Sequence, residues 1–298
     1  MSKITVSSDF ERFCNNLRMS TNTVNAVRNR YQQITKRINL DYWNSTSEIN
    51  HSLYVGSYGR GTSIYTSDID IIVDLPWTDF KRFDEYTWNG QSSLLSNVRE
   101  SLKKTYSTSS VSADGQVVDI SFTDGITFEI VPSFKFSDDS GFYYPDTNNG
   151  GSWRSMNPKE EMDCFNARNK RTNGNLKRLC RMARAWKSNK TVLMSGILID
   201  SMAYHFMADY EYAEESYIYY DWLSRDFFKF IMDNSYRRYW STPGGVWQVE
   251  NEYQQSVKED AQFAYYKALE ALDDFSKEYS YCWHNEWREI YGTRFPES

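Results

Sequence analysis

Two aspartates at the head of an apolar run are the residues in this chain whose types and spacing first suggest chemistry. Val55-Gly56-Ser57-Tyr58-Gly59-Arg60-Gly61 is followed by Asp68-Ile69-Asp70-Ile71-Ile72-Val73, with ten residues between Ser57 and Asp68. A strand has a two-residue period, so Asp68 and Asp70 fall on one face. Side-by-side carboxylates repel, and one of them tends to hold a proton unless a cation removes the conflict. Hard oxygen ligands suit Mg²⁺, which takes one or two carboxylates and completes its shell with water and substrate phosphate. Gly56 and Ser57 supply the complementary half, because a Gly-Ser at a strand-to-helix turn offers backbone N–H groups and a hydroxyl to a phosphate. Gly59 and Gly61 allow close approach. Alone, the first motif is an ordinary turn and the second a solvated strand end; together, between two apolar strands, they point to metal-assisted phosphate chemistry.

In-line displacement at phosphorus with two metals asks for a third carboxylate. Asp119 and Glu129 are the candidates, flanking an Asp124-Gly125 pair typical of a hairpin turn. With those two residues as the whole loop, Thr123 opposes Ile126, Ile120 opposes Glu129 and Asp119 opposes Ile130. The two acids then point to opposite faces, only one of them joins Asp68 and Asp70, and register alone does not choose.

The elements that must position these residues follow from patterning. The spacing predicts a helix from Ser7 or Ser8 to about Arg18 and a second from Thr21 or Thr23, whose Val24, Val27, Tyr31, Ile34 and Ile38 recur at helical intervals. Apolar runs at 53–55, 69–75, 117–122 and 126–131 read as strands, with a helix at 94–106 between the second and third. Residues 137–158, rich in Ser, Asp, Asn, Gly and Pro, read as a long loop. Beyond it the pattern is helical, at 162–170, 176–187, 192–207, 217–234 and 256–279. On the helix at 176–187, Lys177, Arg181, Arg184 and Lys187 form a basic stripe opposite Leu179, Met182, Ala183 and Trp186. More than half of the aromatic residues lie in the C-terminal third, where packing between helices is their expected use.

Composition narrows the function classes. With 298 residues, 40% hydrophobic, the chain is long enough for one large domain or two lobes with a real core. Thirty-four Lys plus Arg against forty Asp plus Glu leave a net charge of −6, which argues against an extended nucleic-acid surface. Cys14, Cys164, Cys180 and Cys282 occupy no zinc or redox spacing and read as buried thiols of a reducing compartment. His51, His205 and His284 are far apart and read as structural. The N-terminus shows no leader-like apolar run, and the most apolar stretch, 192–204, contains Asp200 and falls short of a bilayer span, so a cytoplasmic location without membrane contact is expected.

Gly56-Ser57, ten residues, Asp68-Ile69-Asp70 and then Phe128-Glu129-Ile130-Val131-Pro132 together resemble the DNA polymerase β-like nucleotidyltransferase superfamily. Within it the chain resembles bacterial CD-NTases, relatives of cyclic GMP-AMP synthase and oligoadenylate synthase that make nucleotide second messengers in anti-phage (CBASS) defence. The likeness extends over nearly the whole chain. Tyr143-Tyr144-Pro145-Asp146 with Trp153, Leu176-Lys177-Arg178-Leu179, Ala185-Trp186-Lys187, Ser195 and Trp287-Arg288-Glu289-Ile290-Tyr291-Gly292 with Phe295-Pro296 add to it.

The resemblance implies an α+β fold: a polymerase β-like core sheet with N-terminal helices over 1–150 and a helical lobe over 151–298, the active site lying in the cleft. It selects Glu129 over Asp119 as the third acid, because the family's acid directly precedes the apolar-apolar-Pro step, although Asp is commoner there. It implies that Asp68, Asp70 and Glu129 are catalytic and hold two Mg²⁺ ions, Mn²⁺ substituting. Gly56, Ser57, Arg184 and Ser195 match the family's triphosphate-binding positions, with Lys177 and Arg181 as helpers. Gly196 stands where relatives often carry an aromatic residue, which leaves base stacking unassigned.

The implied reaction joins NTPs, ATP and GTP first with pyrimidine nucleotides as further candidates, into a cyclic di- or trinucleotide with release of pyrophosphate. A monomer is expected, needing no nucleic acid, with a separate effector protein reading the product. The rival expectations are nucleotide transfer to RNA or protein and a non-catalytic nucleotide-binding scaffold on the same fold.

Overall fold

The computed structural model describes residues 5–64 and 68–298. Residues 1–4, where the leader was sought, and residues 65–67, the end of the connection into Asp68, lie outside the described residues. The chain begins with α1 (Val6–Asn16) and α2 (Thr21–Tyr42), then runs β1 (Ser52–Tyr54), α3 (Gly56–Arg60), β2 (Asp68–Asp74), α4 (Trp77–Asp84) and α5 (Gly90–Lys103). Next come β3 (Ser110–Asp114), β4 (Val117–Ser121), β5 (Thr127–Lys135), β6 (Phe142–Asp146) and β7 (Ser152–Met156). The remainder is α6 (Pro158–Arg171), α7 (Asn175–Lys190), α8 (Gly196–Asp209), α9 (Tyr220–Asn234), β8 (Tyr239–Ser241), β9 (Gln248–Glu250), α10 (Gln254–Ser276) and α11 (Ser280–Tyr291). The fold is α+β with a helical C-terminal part, as the resemblance implies.

These elements form two compact units. The first comprises residues 19–59 and 68–159 and carries a sheet in the order β1-β2-β5-β4-β3, in which β2 and β5 run parallel and the other neighbours antiparallel. One face of the sheet is apolar: Ile69, Ile71 and Val73 of β2, Phe128 and Ile130 of β5, and Val118 and Ile120 of β4 are buried in one core. Leu94, Leu95, Val98 and Leu102 of α5 and Val27, Ile34 and Ile38 of α2 cover that face. Strict alternation along the strands sends the acids to the other side. The stretch 137–158 is not a loop: it forms the β6–β7 hairpin, in which Pro145 pairs with Trp153, and the Trp153 indole N–H donates to Asp84 at 2.9 Å. Pro145 interrupts β6, and β7 is mostly polar, so neither shows the apolar alternation by which strands are read. The short strands β3, β8 and β9 and the helices α4 and α11 also escaped sequence reading.

The second unit comprises residues 5–18, 60–64 and 160–298. Helix α1 belongs here, not with the sheet, because Phe10, Phe13 and Leu17 are buried among the C-terminal aromatics; Phe10 lies 5.2 Å, centroid to centroid, from both Trp287 and Phe295. That contact gives the Phe295-Pro296 terminus a packing role. Four alanines of α10, Ala261, Ala264, Ala268 and Ala271, are fully buried. Small residues at helical spacing allow close approach of a neighbouring helix.

Inside this unit lies an ionic network. Asp200 of α8, with no exposed surface, accepts from Arg60 Nε at 2.9 Å, from Thr62 Oγ1 at 2.9 Å and from both Nη atoms of Arg184 at 2.5 and 2.9 Å. Arg60 also donates to Glu161 at 2.5 Å, and Glu161 accepts from the Trp247 indole at 3.0 Å. Two guanidinium groups and two carboxylates thus neutralise one another. Burial raises the Asp200 pKa, but the opposing charges of Arg184 and Arg60 prevail and hold the carboxyl below its ordinary value. Cys14 and Cys180 are buried as expected, whereas Cys164 is half-buried and Cys282 exposed. Among the described residues no helix is long and apolar enough to cross a membrane.

Removing Asp200 leaves the buried Arg184 guanidinium without its carboxylate and Arg60 with Glu161 alone. Asp200→Ala is expected to destabilise the protein by about 3–5 kcal/mol, read as a lowered urea midpoint in equilibrium unfolding. A midpoint equal to that of the wild type would show the network to be energetically idle.

Candidate active site

Strand register decides which acids meet. Parallel pairing of β2 with β5 puts Asp70 beside Glu129, and antiparallel pairing of β4 with β5 puts Asp119 directly opposite Glu129. Asp68, two residues before Asp70, shares its face. The expectation that Asp119 and Glu129 point to opposite faces is therefore overturned. The hairpin loop has three residues, Thr123, Asp124 and Gly125, closed by a Phe122 N–H to Ile126 carbonyl bond of 2.9 Å. Gly125 occupies the left-handed region at φ +83°, as a three-residue hairpin loop requires. One residue more in the loop slips the register by one, and a one-residue slip exchanges faces. Arg30 fixes the turn, donating to both carboxylate oxygens of Asp124 at 3.0 and 2.8 Å with its guanidinium 4.0 Å above the Phe122 ring.

The result is a row of acids across three strands on the half-buried face. Burial, then the charges of Asp70, Asp119 and Asp68, push the Glu129 carboxyl up to about 7. Burial, followed by Asp114 and Asp68, raises Asp119 as well. Asp119 Oδ1 is buried without a hydrogen-bond partner, and no ion pair reaches Asp119 or Glu129 among the described residues. These are anionic oxygens of hard donor type, partly desolvated and mutually repelling, a conflict that a cation would relieve. The donor set fits Mg²⁺ or Mn²⁺, although among the described residues no three such side chains already surround a common point.

Gly56 stands against this row. Its φ of +59° lies in the left-handed region, and a β-carbon there would fall 1.8 Å from Asp70 Oδ2. Only glycine lets the backbone approach the carboxylate so closely. The amide of Val55 donates to the Asp70 carbonyl at 2.9 Å, which ties the Gly-Ser turn to the strand bearing the acids. Ser57 follows as the second residue of α3.

The basic stripe of α7 is largely drawn into the helical unit. Arg181 donates through Nε and Nη2 to the Gly61 carbonyl at 3.1 and 2.7 Å. Arg184, only 9% exposed, is committed to Asp200 and to the Gly196 carbonyl at 2.9 Å. A β-carbon on Gly196 would lie 3.1 Å from Arg184 Nη2, so the glycine leaves room for the guanidinium. Lys177 is half-buried, and its Nζ has no acidic partner among the described residues; burial, then Arg181, lowers its pKa. Ser195 caps α8, its hydroxyl accepting from the Leu198 amide at 3.2 Å. The residues that sequence reading missed are Arg60, Glu161 and Asp200. A charged residue within the most apolar stretch of the chain was the available signal for Asp200.

The histidines take structural contacts. His51 stacks on Trp43 at 4.0 Å, His205 meets the Ser241 carbonyl at 2.9 Å and His284 the Ser280 carbonyl at 2.7 Å.

The sequence profile of the SMODS family, Second Messenger Oligonucleotide or Dinucleotide Synthetase domain, matches residues 4–169, more than half of the chain. No curated protein matches the sequence. Among solved structures, the chain is similar to one in the E. coli MS115-1 CdnC:HORMA-deltaN complex, with a TM-score of 0.72 at 15% identity over 97% of this chain and 98% of that one. It is also similar to the Bradyrhizobium diazoefficiens CD-NTase CdnG in complex with GTP, with a TM-score of 0.69 at 11% identity over 98% and 96% of the two chains. A third similarity is to the Vibrio cholerae di-nucleotide cyclase DncV, with a TM-score of 0.65 at 12% identity over 98% and 88%. At these identities the likenesses establish the fold.

The raised Glu129 pKa has a sign that can be checked. An acid whose folded pKa lies near 7, above an ordinary 4.5, takes up a proton on folding between those values. Its contribution to stability is full below the ordinary value and is lost as pH rises through 7. Cation binding needs the deprotonated form, so it is opposed at low pH. The rise in melting temperature caused by Mn²⁺ is therefore expected to be larger at pH 8 than at pH 6, and this difference should shrink in Glu129→Gln. Equal Mn²⁺ effects at both pH values in the wild type would contradict the assignment.

Proposed function

Since the chain belongs to the SMODS family of second-messenger oligonucleotide or dinucleotide synthetases, and is therefore a nucleotidyltransferase of the CD-NTase kind, we propose that it condenses NTPs into a cyclic di- or trinucleotide, with release of pyrophosphate. The product would serve as a cytoplasmic signal in anti-phage (CBASS) defence, read by a separate effector. The observation that carries this reading is the face shared by Asp68, Asp70 and Glu129 with Gly56 packed against Asp70. Purine nucleotides are the first candidates, supported by the solved relatives CdnC with ATP and CdnG with GTP.

In this reading Asp68, Asp70 and Glu129 hold Mg²⁺, with Mn²⁺ as a substitute. When bound, the divalent cations offset phosphate charge and make the acceptor hydroxyl more acidic. The acceptor ribose oxygen forms a bond to the α-phosphorus, the bond from that phosphorus to the pyrophosphate oxygen breaks in line, and the hydroxyl proton is lost to solvent. Asp70, held by the Val55 amide through its own carbonyl and confined by Gly56, presents its carboxylate in a defined place. Gly56 and Ser57 contact the phosphates through the turn.

In the helical unit, Lys177 is the foremost phosphate contact, because an ammonium destabilised by burial and by Arg181 is relieved by an anion. Arg181 and Ser195 assist, the Ser195 hydroxyl still having a proton to donate while it accepts from Leu198. Arg184 shapes the head of α8 through Gly196 and Asp200. Catalysis on this account is mostly positioning and charge stabilisation.

Incubation of the purified chain with the four NTPs and Mg²⁺ or Mn²⁺, with products resolved by mass, is expected to yield a phosphatase-resistant cyclic nucleotide. Asp70→Ala should abolish its formation without lowering the melting temperature, and Gly56→Ala should reduce turnover at least about tenfold by displacing the Asp70 carboxylate. Wild-type turnover in Asp70→Ala would refute the assigned role, and labelled RNA or protein in place of a free nucleotide would favour a macromolecular acceptor.

A further inference from the structure

Asp119 has no part in the reaction just described, yet the hairpin register delivers it to the acidic face. It lies directly opposite Glu129, at a cross-strand separation where side chains interact strongly and like charges oppose pairing. Its same-face neighbours on β4 are Val117 and Ser121, so an apolar or hydroxyl side chain would suit this position. Its Oδ1 is buried and has no hydrogen-bond partner among the described residues. No guanidinium or ammonium group pairs with it among the described residues, although Arg30 neutralises Asp124 five residues along the same hairpin. A carboxylate so placed adds only repulsion to the row unless a cation is the partner of the whole row.

We infer that Asp119 is a fourth member of the carboxylate set that holds the divalent cation, and that it strengthens cation binding before any nucleotide arrives. The inference rests on the reading of Asp68, Asp70 and Glu129 as the metal-holding acids. An anionic oxygen at this position attracts the cation whether it contacts the ion or one of its bound waters.

The test is Mn²⁺ titration of the nucleotide-free protein by calorimetry, with electron paramagnetic resonance to count free Mn²⁺, in the wild type, Asp119→Asn, Asp119→Glu and Glu129→Gln. Melting temperatures in EDTA separate damage to the fold from loss of the cation. Asp119→Asn is expected to weaken Mn²⁺ binding about tenfold, with a melting temperature in EDTA equal to or above that of the wild type because repulsion is relieved. Asp119→Glu, which keeps the charge, should retain most of the affinity. If Glu129→Gln loses Mn²⁺ while Asp119→Asn binds it within twofold of the wild type, Asp119 lies outside the set and the inference fails alone. If the wild type binds no Mn²⁺, or Glu129→Gln binds it unchanged, the three-acid reading falls and takes this inference with it.

Discussion

Repulsion among carboxylates that share one face of a sheet is the constraint around which the sheet unit is organised. Asp70, Glu129 and Asp119 are adjacent in register, and Asp68 precedes them on the same face. The opposite face buries Ile69, Ile71, Phe128, Ile130, Val118 and Ile120, and the hydrophobic stabilisation of that layer holds the acids together against their mutual repulsion. Because strand side chains alternate, the two faces are coupled: no acid can turn away without carrying an apolar neighbour into water. Burial first, and then this repulsion, raises the Glu129 pKa.

Small features of the chain maintain this geometry. Gly125 adopts the left-handed conformation that makes a three-residue hairpin loop possible, and Arg30 clamps the Asp124 carboxylate beside it. Gly56 admits the Asp70 carboxylate where any β-carbon would collide with it. In each case the residue matters for what it allows a neighbour to do.

The helical unit resolves a different electrostatic problem. Arg60 and Arg184 are buried, which is tolerable only because Asp200 and Glu161 are buried with them. This divides the basic residues of α7 into two kinds. Arg184 is satisfied by a fixed partner and shapes the head of α8, whereas Lys177 lacks an acidic partner among the described residues and is destabilised as a cation. A helical wheel shows both as members of one stripe and does not distinguish them.

Much of the fold was legible in the linear order of residues. Apolar runs marked β2, β4 and β5, and helical spacing marked α1, α2, α5 and the helices α6 to α10, because these elements bury one face and their patterns carry that fact. The pairing of Asp68 with Asp70 was legible for the same reason, being local to one strand. What only the tertiary structure decided was non-local: the hairpin register that turns Asp119 toward Glu129, the β6–β7 hairpin whose strands show no apolar alternation, and the commitment of Arg184 to Asp200. Each depends on a partner distant in sequence or on a single loop residue, and neither composition nor period encodes which partner a charged side chain meets once water has been excluded.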